Sequence, residues 1–324
     1  MRWVSFCNTE LQAVVSSKTW HISHEAALIV DSPHSSTHSN LTVVIATLGG
    51  PTLQATVNAL NRGSVVPDEI LVCIPHQEAG GVLGITASNV TVLSTDCRGQ
   101  VAQRVEGFKQ ARTQFVMQLD DDMQVGERCL ERLIGVLMDS ASIAVAPVLI
   151  DVITNKPVHE PVNRPGCVRK FYYWIMNGKD GYRGGAIQKS GSPIGLVPPC
   201  GSGEQHEVEW LAGGCVMFHR SDLVLENYFP FSGKAYCEDV IHSYLLRGKG
   251  VRLLVDSQAY CGLEVIQPFD KGFLAFMRET RNDFVARRYF MHLSGRPLSR
   301  MYIFYGIFVF RYVLTRLARV VGRA

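Results

Sequence analysis

From Leu41 onward the chain alternates short β-branched runs with amphipathic segments, an order that only a few folds accommodate. Leu41-Thr-Val-Val-Ile45 is an apolar run closed by Gly49-Gly50-Pro51, which predicts a buried strand followed by a turn. Leu53, Val57 and Leu60 then recur at helical spacing, with Thr52 as a candidate cap and Asn61-Arg62-Gly63 as a stop. The same reading predicts strands over Glu69–Ile74, Val90–Leu93, Gln114–Leu119 and Ile143–Val148. It predicts helices over Val101–Arg112 and Glu127–Met138, the first with Val101, Val105 and Phe108 on one side. Strands separated by helices build a parallel α/β sheet covered on both faces. Between Asn155 and Gly203 the periodicity gives way to glycines and prolines, so a long irregular insertion, a candidate lid, is expected there. Order resumes over Val208–Phe218, in a helix from Glu238 to Arg247, and in a strand Val251–Val255.

Charge excludes one broad class. With 32 Lys+Arg against 29 Asp+Glu in 324 residues, the chain lacks the concentrated positive charge that displaces counterions from a nucleic acid, and no nucleic-acid partner is expected. The average hides an imbalance, because residues 269–324 hold 11 basic and 3 acidic side chains. Nine cysteines without C-x-x-C spacing read as reduced thiols. Residues 1–40 form an N-terminal extension with short strands expected at Leu11–Val15 and Ala26–Val30. It lacks a signal-peptide run, so no export is implied, and its His21, His24, His34 and His38 have no carboxylate or thiol at ligand spacing.

The chemistry concentrates at Asp120-Asp121-Asp122, at the end of the predicted strand Gln114–Leu119. Ligands of open α/β sheets bind at that edge. Adjacent carboxylates repel one another unless a cation sits among them, and hard cations such as Mg2+ or Mn2+ take oxygen ligands and bridge phosphates. An acidic turn capping the next helix is the plainer alternative.

Five elements in order give a resemblance to the family 2 glycosyltransferases, inverting enzymes of the GT-A fold, over roughly residues 41–289. They are the strand Thr42–Thr47, Gly99-Gln-Val-Ala-Gln103-Arg104, the Asp120–Asp122 run, Glu209-Trp210-Leu-Ala-Gly213-Gly214, and Cys237-Glu238-Asp239. The resemblance implies a GT-A-like, mostly parallel sheet flanked by helices. It assigns Asp239 as general base, with Glu238 as the second catalytic residue, orienting the acceptor or keeping the base poised, Asp122 and Asp120 as ligands of Mn2+ or Mg2+, and Ala46, Thr47, Arg104, Asp120 and Asp121 to the donor. Trp210, Gly213 and Gly214 fall to the acceptor. A divalent ion would stabilise charge on a departing nucleoside diphosphate, and a carboxylate would take the acceptor's proton.

The chain departs from the family at Cys73-Ile-Pro75-His76, where acidic residues are usual, at Val105, where Asn is usual, and near Tyr260-Cys261, where a metal-binding His is usual. The metal would then be held more loosely, or by His242 or the lid. The expected activity is hexosyl or deoxyhexosyl transfer from a nucleotide sugar to a glycan or lipid-linked acceptor, in polysaccharide or glycolipid synthesis. Two alternatives stay open: a nucleotidyltransferase making an activated sugar, and a carbohydrate-binding protein that has lost its chemistry. The expected organisation is a catalytic domain over 41–268, with a nucleotide-sugar half at 41–150 and an acceptor half at 151–268, then a basic helical region at 269–324. There a helix Phe269–Phe290 precedes a second in which Arg311, Arg316, Arg319 and Arg323 share one side and Phe310, Val313, Leu314, Leu317, Val320 and Val321 the other. That pattern predicts residues 300–324 lying on an anionic membrane surface, with the protein peripheral on the cytoplasmic face.

Overall fold

The computed structural model describes residues 39–82, 84–159, 166–196, 198, 205–231, 233–265 and 271–321, the side chains of 320 and 321 excepted. The strands expected at Leu11–Val15 and Ala26–Val30, the four histidines before Ser39, and Arg323 lie outside the described residues.

Chain order runs β1 (Leu41–Ala46), α1 (Leu53–Asn61), β2 (Glu69–Pro75), β3 (Val90–Thr95), α2 (Gln100–Gln110), β4 (Phe115–Leu119), β5 (Gln124–Val125), α3 (Cys129–Met138), β6 (Ile143–Asp151) and β7 (Lys156–Pro157). It continues with α4 (Cys167–Asn177), β8 (Gln205–Val208), β9 (Cys215–His219), α5 (Glu238–Gly248), β10 (Arg252–Leu263), α6 (Phe273–Leu293) and α7 (Ser299–Val321). Among the described residues ten strands form one sheet, ordered β3-β2-β1-β4-β9-β6-β10-β5, with β7 on β6 and β8 on β10. The long ladders β1–β2, β1–β4, β2–β3 and β6–β10 are parallel, whereas β9 enters antiparallel between β4 and β6. The sheet is therefore mixed, because β9 follows a long excursion after β7 instead of a helical crossover.

Leu53, Val57 and Leu60 are buried as their spacing predicts, but the Thr52 side chain makes no capping hydrogen bond. The stretch expected to be irregular contains α4, which buries Tyr173 and Met176. Strand β10 runs past Val255 to Leu263 by way of a bulge. Pro147 of β6 has no N–H for the ladder, and it sits opposite Asp256, where β10 leaves register until Tyr260. The bulge is held by Asp256 Oδ1, which accepts from the backbone N–H groups of Gln258 and Ala259 at 2.6 and 3.1 Å.

The C-terminal helices share a core with the second half of the sheet domain. Met301, Phe304, Tyr305, Phe308 and Tyr312 of α7 are buried in one apolar cluster with Phe276 and Phe290 of α6 and Val240 and Ile241 of α5.

Candidate active site

Strand β4 delivers Asp120 to the C-terminal edge of the sheet, and α5 begins beside it with Glu238 and Asp239. A single pocket is lined by Asp120, Asp122, Gly214, Lys234, Asp239 and Arg287, among others. Immediately before the acidic pair, Cys237 holds the left-handed conformation at φ +57°, rare for a side-chain-bearing residue. Strain of this kind concentrates where a chain must present a group in a set direction.

Arg104 occupies a different place from the one expected of a donor ligand. It lies on the buried face of α2, 1% exposed, and its guanidinium bridges Asp120 Oδ1 at 2.5 Å and Glu238 Oε1 at 2.7 Å. Burial opposes its charge, but Glu238 and Asp120 outweigh that and hold it ionised. Glu238 is completely buried and also accepts from the Tyr228 hydroxyl at 3.3 Å. A carboxylate so enclosed cannot touch a substrate, so Glu238 is an anchor for the start of α5 and not a catalytic group.

Asp239 differs sharply from its neighbour. Its carboxyl lines the pocket and accepts from the N–H of Val240 at 2.9 Å. Burial, and then the charge of Glu238, push its pKa up to about 7. A carboxylate poised near neutrality suits proton abstraction at physiological pH.

The three adjacent aspartates divide their work. Asp120 Oδ1 accepts from Arg104 and from Gln100 at 2.8 Å, leaving Oδ2 beside Gly214. Asp121 is bound by the Thr47 hydroxyl. Burial pushes the Asp121 carboxyl up, the Thr47 hydrogen bond pulls it back, and the charges of Asp122 and Asp120 push it up again. The Thr47 carbonyl, next to Ala46 at the end of β1, accepts from Gln103 at 2.8 Å, so Thr47 is committed to the protein and not to a donor.

Among the described residues no three His, Cys, Asp or Glu side chains are arranged to hold a metal ion. Mg2+ and Mn2+ need no such cage, since they bind through one or two carboxylates together with substrate phosphates. Asp122 and Asp120 Oδ2 match that donor set, and the mutual repulsion recorded at Asp121 is what a cation would relieve. His242 is not a ligand. It stacks on Tyr228 at 5.1 Å, packs against Phe218, and is kept neutral, its pKa lowered to about 3 first by burial and then by Arg104.

The Trp210 segment also does something other than expected. The Trp210 ring is buried, its indole N–H donates to the Ile194 carbonyl at 2.9 Å, and it meets His159 edge-on at 5.7 Å; it fills core and does not stack on an acceptor. Gly213 gives its carbonyl to Gln118 at 2.5 Å and to Arg104 at 3.4 Å. Gly214 is small because a Cβ there would sit 3.2 Å from Asp120 Oδ2 and 3.4 Å from Met123 Sδ. The close approach is thus to a carboxylate of the site.

A second buried ion pair went unpredicted. Arg287 of α6 bonds Asp283 at 3.2 Å, the Tyr305 hydroxyl at 3.1 Å and the Gly191 carbonyl at 3.1 Å, while Tyr305 also donates to Asp283. Its i, i+4 spacing was the available signal. The unit forms a wall of the pocket and ties it to α7.

Comparison with known proteins follows the same outline. The profile of Glycosyl transferase family 2 matches residues 42–186. No curated protein matches the chain in sequence. Among solved structures of similar fold is the crystal structure of GalNAc-T7 with UDP, GalNAc and Mn2+, at TM-score 0.51 and 19% identity. The match covers 70% of this chain and 43% of that one, so this chain spans less than half of its neighbour's length. At that identity the likeness is one of fold.

Proposed function

From the match of residues 42–186 to the profile of Glycosyl transferase family 2, we propose that the chain transfers a hexosyl or deoxyhexosyl group, with inversion, from a nucleotide sugar to a hydroxyl of a glycan or lipid-linked acceptor. The observation that carries this reading is one pocket lined both by a carboxyl poised near neutrality, Asp239, and by the carboxylates Asp120 and Asp122. Asp239 accepts the proton of the acceptor hydroxyl as that oxygen bonds to the anomeric carbon. The sugar's bond to the β-phosphate oxygen breaks, and the nucleoside diphosphate leaves with the electron pair. Asp122 and Asp120 Oδ2 would hold a divalent cation, which when bound neutralises charge on the departing diphosphate. Arg104 keeps Asp120 oriented and cancels the Glu238 charge, so neither drifts into the reacting space. The pocket also receives Lys234 from the loop before α5, a cation suited to a diphosphate.

The test is release of nucleoside diphosphate from a panel of nucleotide sugars, UDP-sugars with Mn2+ first, across candidate acceptors. The anomeric configuration of the product is read by NMR. Asp122→Ala is expected to remove the Mn2+ dependence of donor binding. Saturable binding without product from any donor would support the eroded-binding alternative, and retention of configuration would remove Asp239 from its role.

A further inference from the structure

Helix α7 carries two apolar faces. One, with Met301, Phe304, Tyr305, Phe308 and Tyr312, is buried against the domain. On the opposite side Ile303, Phe310, Val313, Leu314 and Leu317 form a continuous exposed stripe, Phe310 being 61% and Leu317 56% exposed. Contiguous apolar surface of this kind marks an interaction site. We propose that this stripe docks the protein on an anionic lipid bilayer, with α7 lying in the plane of the headgroups.

The occupant follows from charge. Of the two helices, only α6 carries acidic residues, and both are neutralised internally, Glu279 by Lys271 and Asp283 by Arg287. The face that α6 turns to solvent bears Arg278, Arg281 and Arg288, all exposed. Arg311, Arg316 and Arg319 lie on the same side of α7 as its buried face, and Arg316 donates to the Tyr312 hydroxyl and the Lys271 carbonyl, so the positive charge offered to a bilayer is that of α6. A second copy of this chain would bring the same positive surfaces together, whereas an anionic bilayer complements them. Ser299–Arg319 has the length and mean hydropathy, 1.3, of a membrane span, but five of its side chains are buried in the protein core, which favours a helix lying along the surface over one crossing it.

The experiment is sedimentation of the full chain with vesicles of phosphatidylcholine alone or with added phosphatidylglycerol, at low and high salt. Pelleting with the anionic vesicles, weakened by salt, is expected. Leu314→Glu with Leu317→Glu should lower partition at least about tenfold, since it puts two charges into the acyl boundary. Replacing Arg278, Arg281 and Arg288 by Gln should lower it on the order of 100-fold, about fivefold for each arginine. All five positions are exposed, and unchanged thermal unfolding of both variants checks that the fold is kept. No pelleting at low salt, or equal pelleting on neutral and anionic vesicles, would overturn the proposal. So would a dimer in solution that the Leu314→Glu/Leu317→Glu chain no longer forms, for then a second copy covers the stripe. The readout involves no sugar transfer, so its failure leaves the proposed activity standing.

Discussion

The Asp239 carboxyl is raised to about 7, and its ionisation therefore governs both rate and stability. In the proposed role of base Asp239 must be deprotonated, so turnover should climb as pH rises through about 7 and fall away below it. Stability runs the other way. A carboxylate whose folded pKa exceeds its unfolded one favours the native state at low pH and loses that contribution as pH rises from about 4 through 7. Asp239→Asn should thus lower kcat roughly 10²–10⁴-fold with donor affinity kept, while raising stability at pH 8 by on the order of 2 kcal/mol. Urea unfolding and initial rates across pH test both halves. For Arg104, removal leaves two buried carboxylates facing each other. Arg104→Met is expected to cost about 3–5 kcal/mol at pH 7, measured by urea unfolding, with part of the loss recovered in acid. How visible were these roles in the sequence? The placement of Asp239 was, because an acid pair at a helix start is a local pattern. Arg104 stands at i, i+3, i+4, i+7 with Val101, Val105 and Phe108, so its burial was legible, but its partners Asp120 and Glu238 are brought together only by the fold.

Helix α2 approaches the sheet closely enough that one of its residues can have no side chain. A Cβ on Gly107 would meet Cys73 Sγ at 2.7 Å and press on Val44 Cγ1. Overpacking costs about 1–3 kcal/mol, while alanine gains about 1 kcal/mol in helix propensity. The clash should prevail, and Gly107→Ala should lower thermal stability. Val44→Ala with Gly107→Ala should restore part of it, a coupling that a double-mutant cycle reads directly. At this scale the sequence was most legible where apolar spacing was regular, as in α1 and α3. It failed at α4, where flanking glycines and prolines masked an aromatic run, and at the end of β10, where Asp256-Ser-Gln looked like a stop but folds as a bulge. Trp210 failed for a related reason: a large aromatic beside two glycines reads equally as ligand platform or core, and only the indole bond to Ile194 decides.

Across the molecule, the helical region after residue 268 is integral and not an appendage. Ending the chain at Arg300 would strip Met301, Phe304, Tyr305, Phe308 and Tyr312 from the core and leave Asp283 and Arg287 without Tyr305. At about 1.5–3 kcal/mol for each large apolar side chain, that loss rivals the whole net stability of about 5–15 kcal/mol. Such a truncation should give no cooperative thermal transition by circular dichroism. A simple reading of the apolar and basic faces of α7 misses this, because helical spacing shows two faces but not which of them the protein itself covers. The sheet order carries a further consequence for synthesis. Strand β6 leaves the ribosome well before β9 and β10, the strands that flank it, and roughly 60 residues must follow before the first of them emerges. At about 5–20 residues per second that is a wait of several seconds for a bare, sticky segment. Pro147 lies at its middle, unable to donate to any neighbouring strand, and is expected to act as a guard against pairing between nascent chains. The bulge in β10 is what lets the finished protein keep that guard in place.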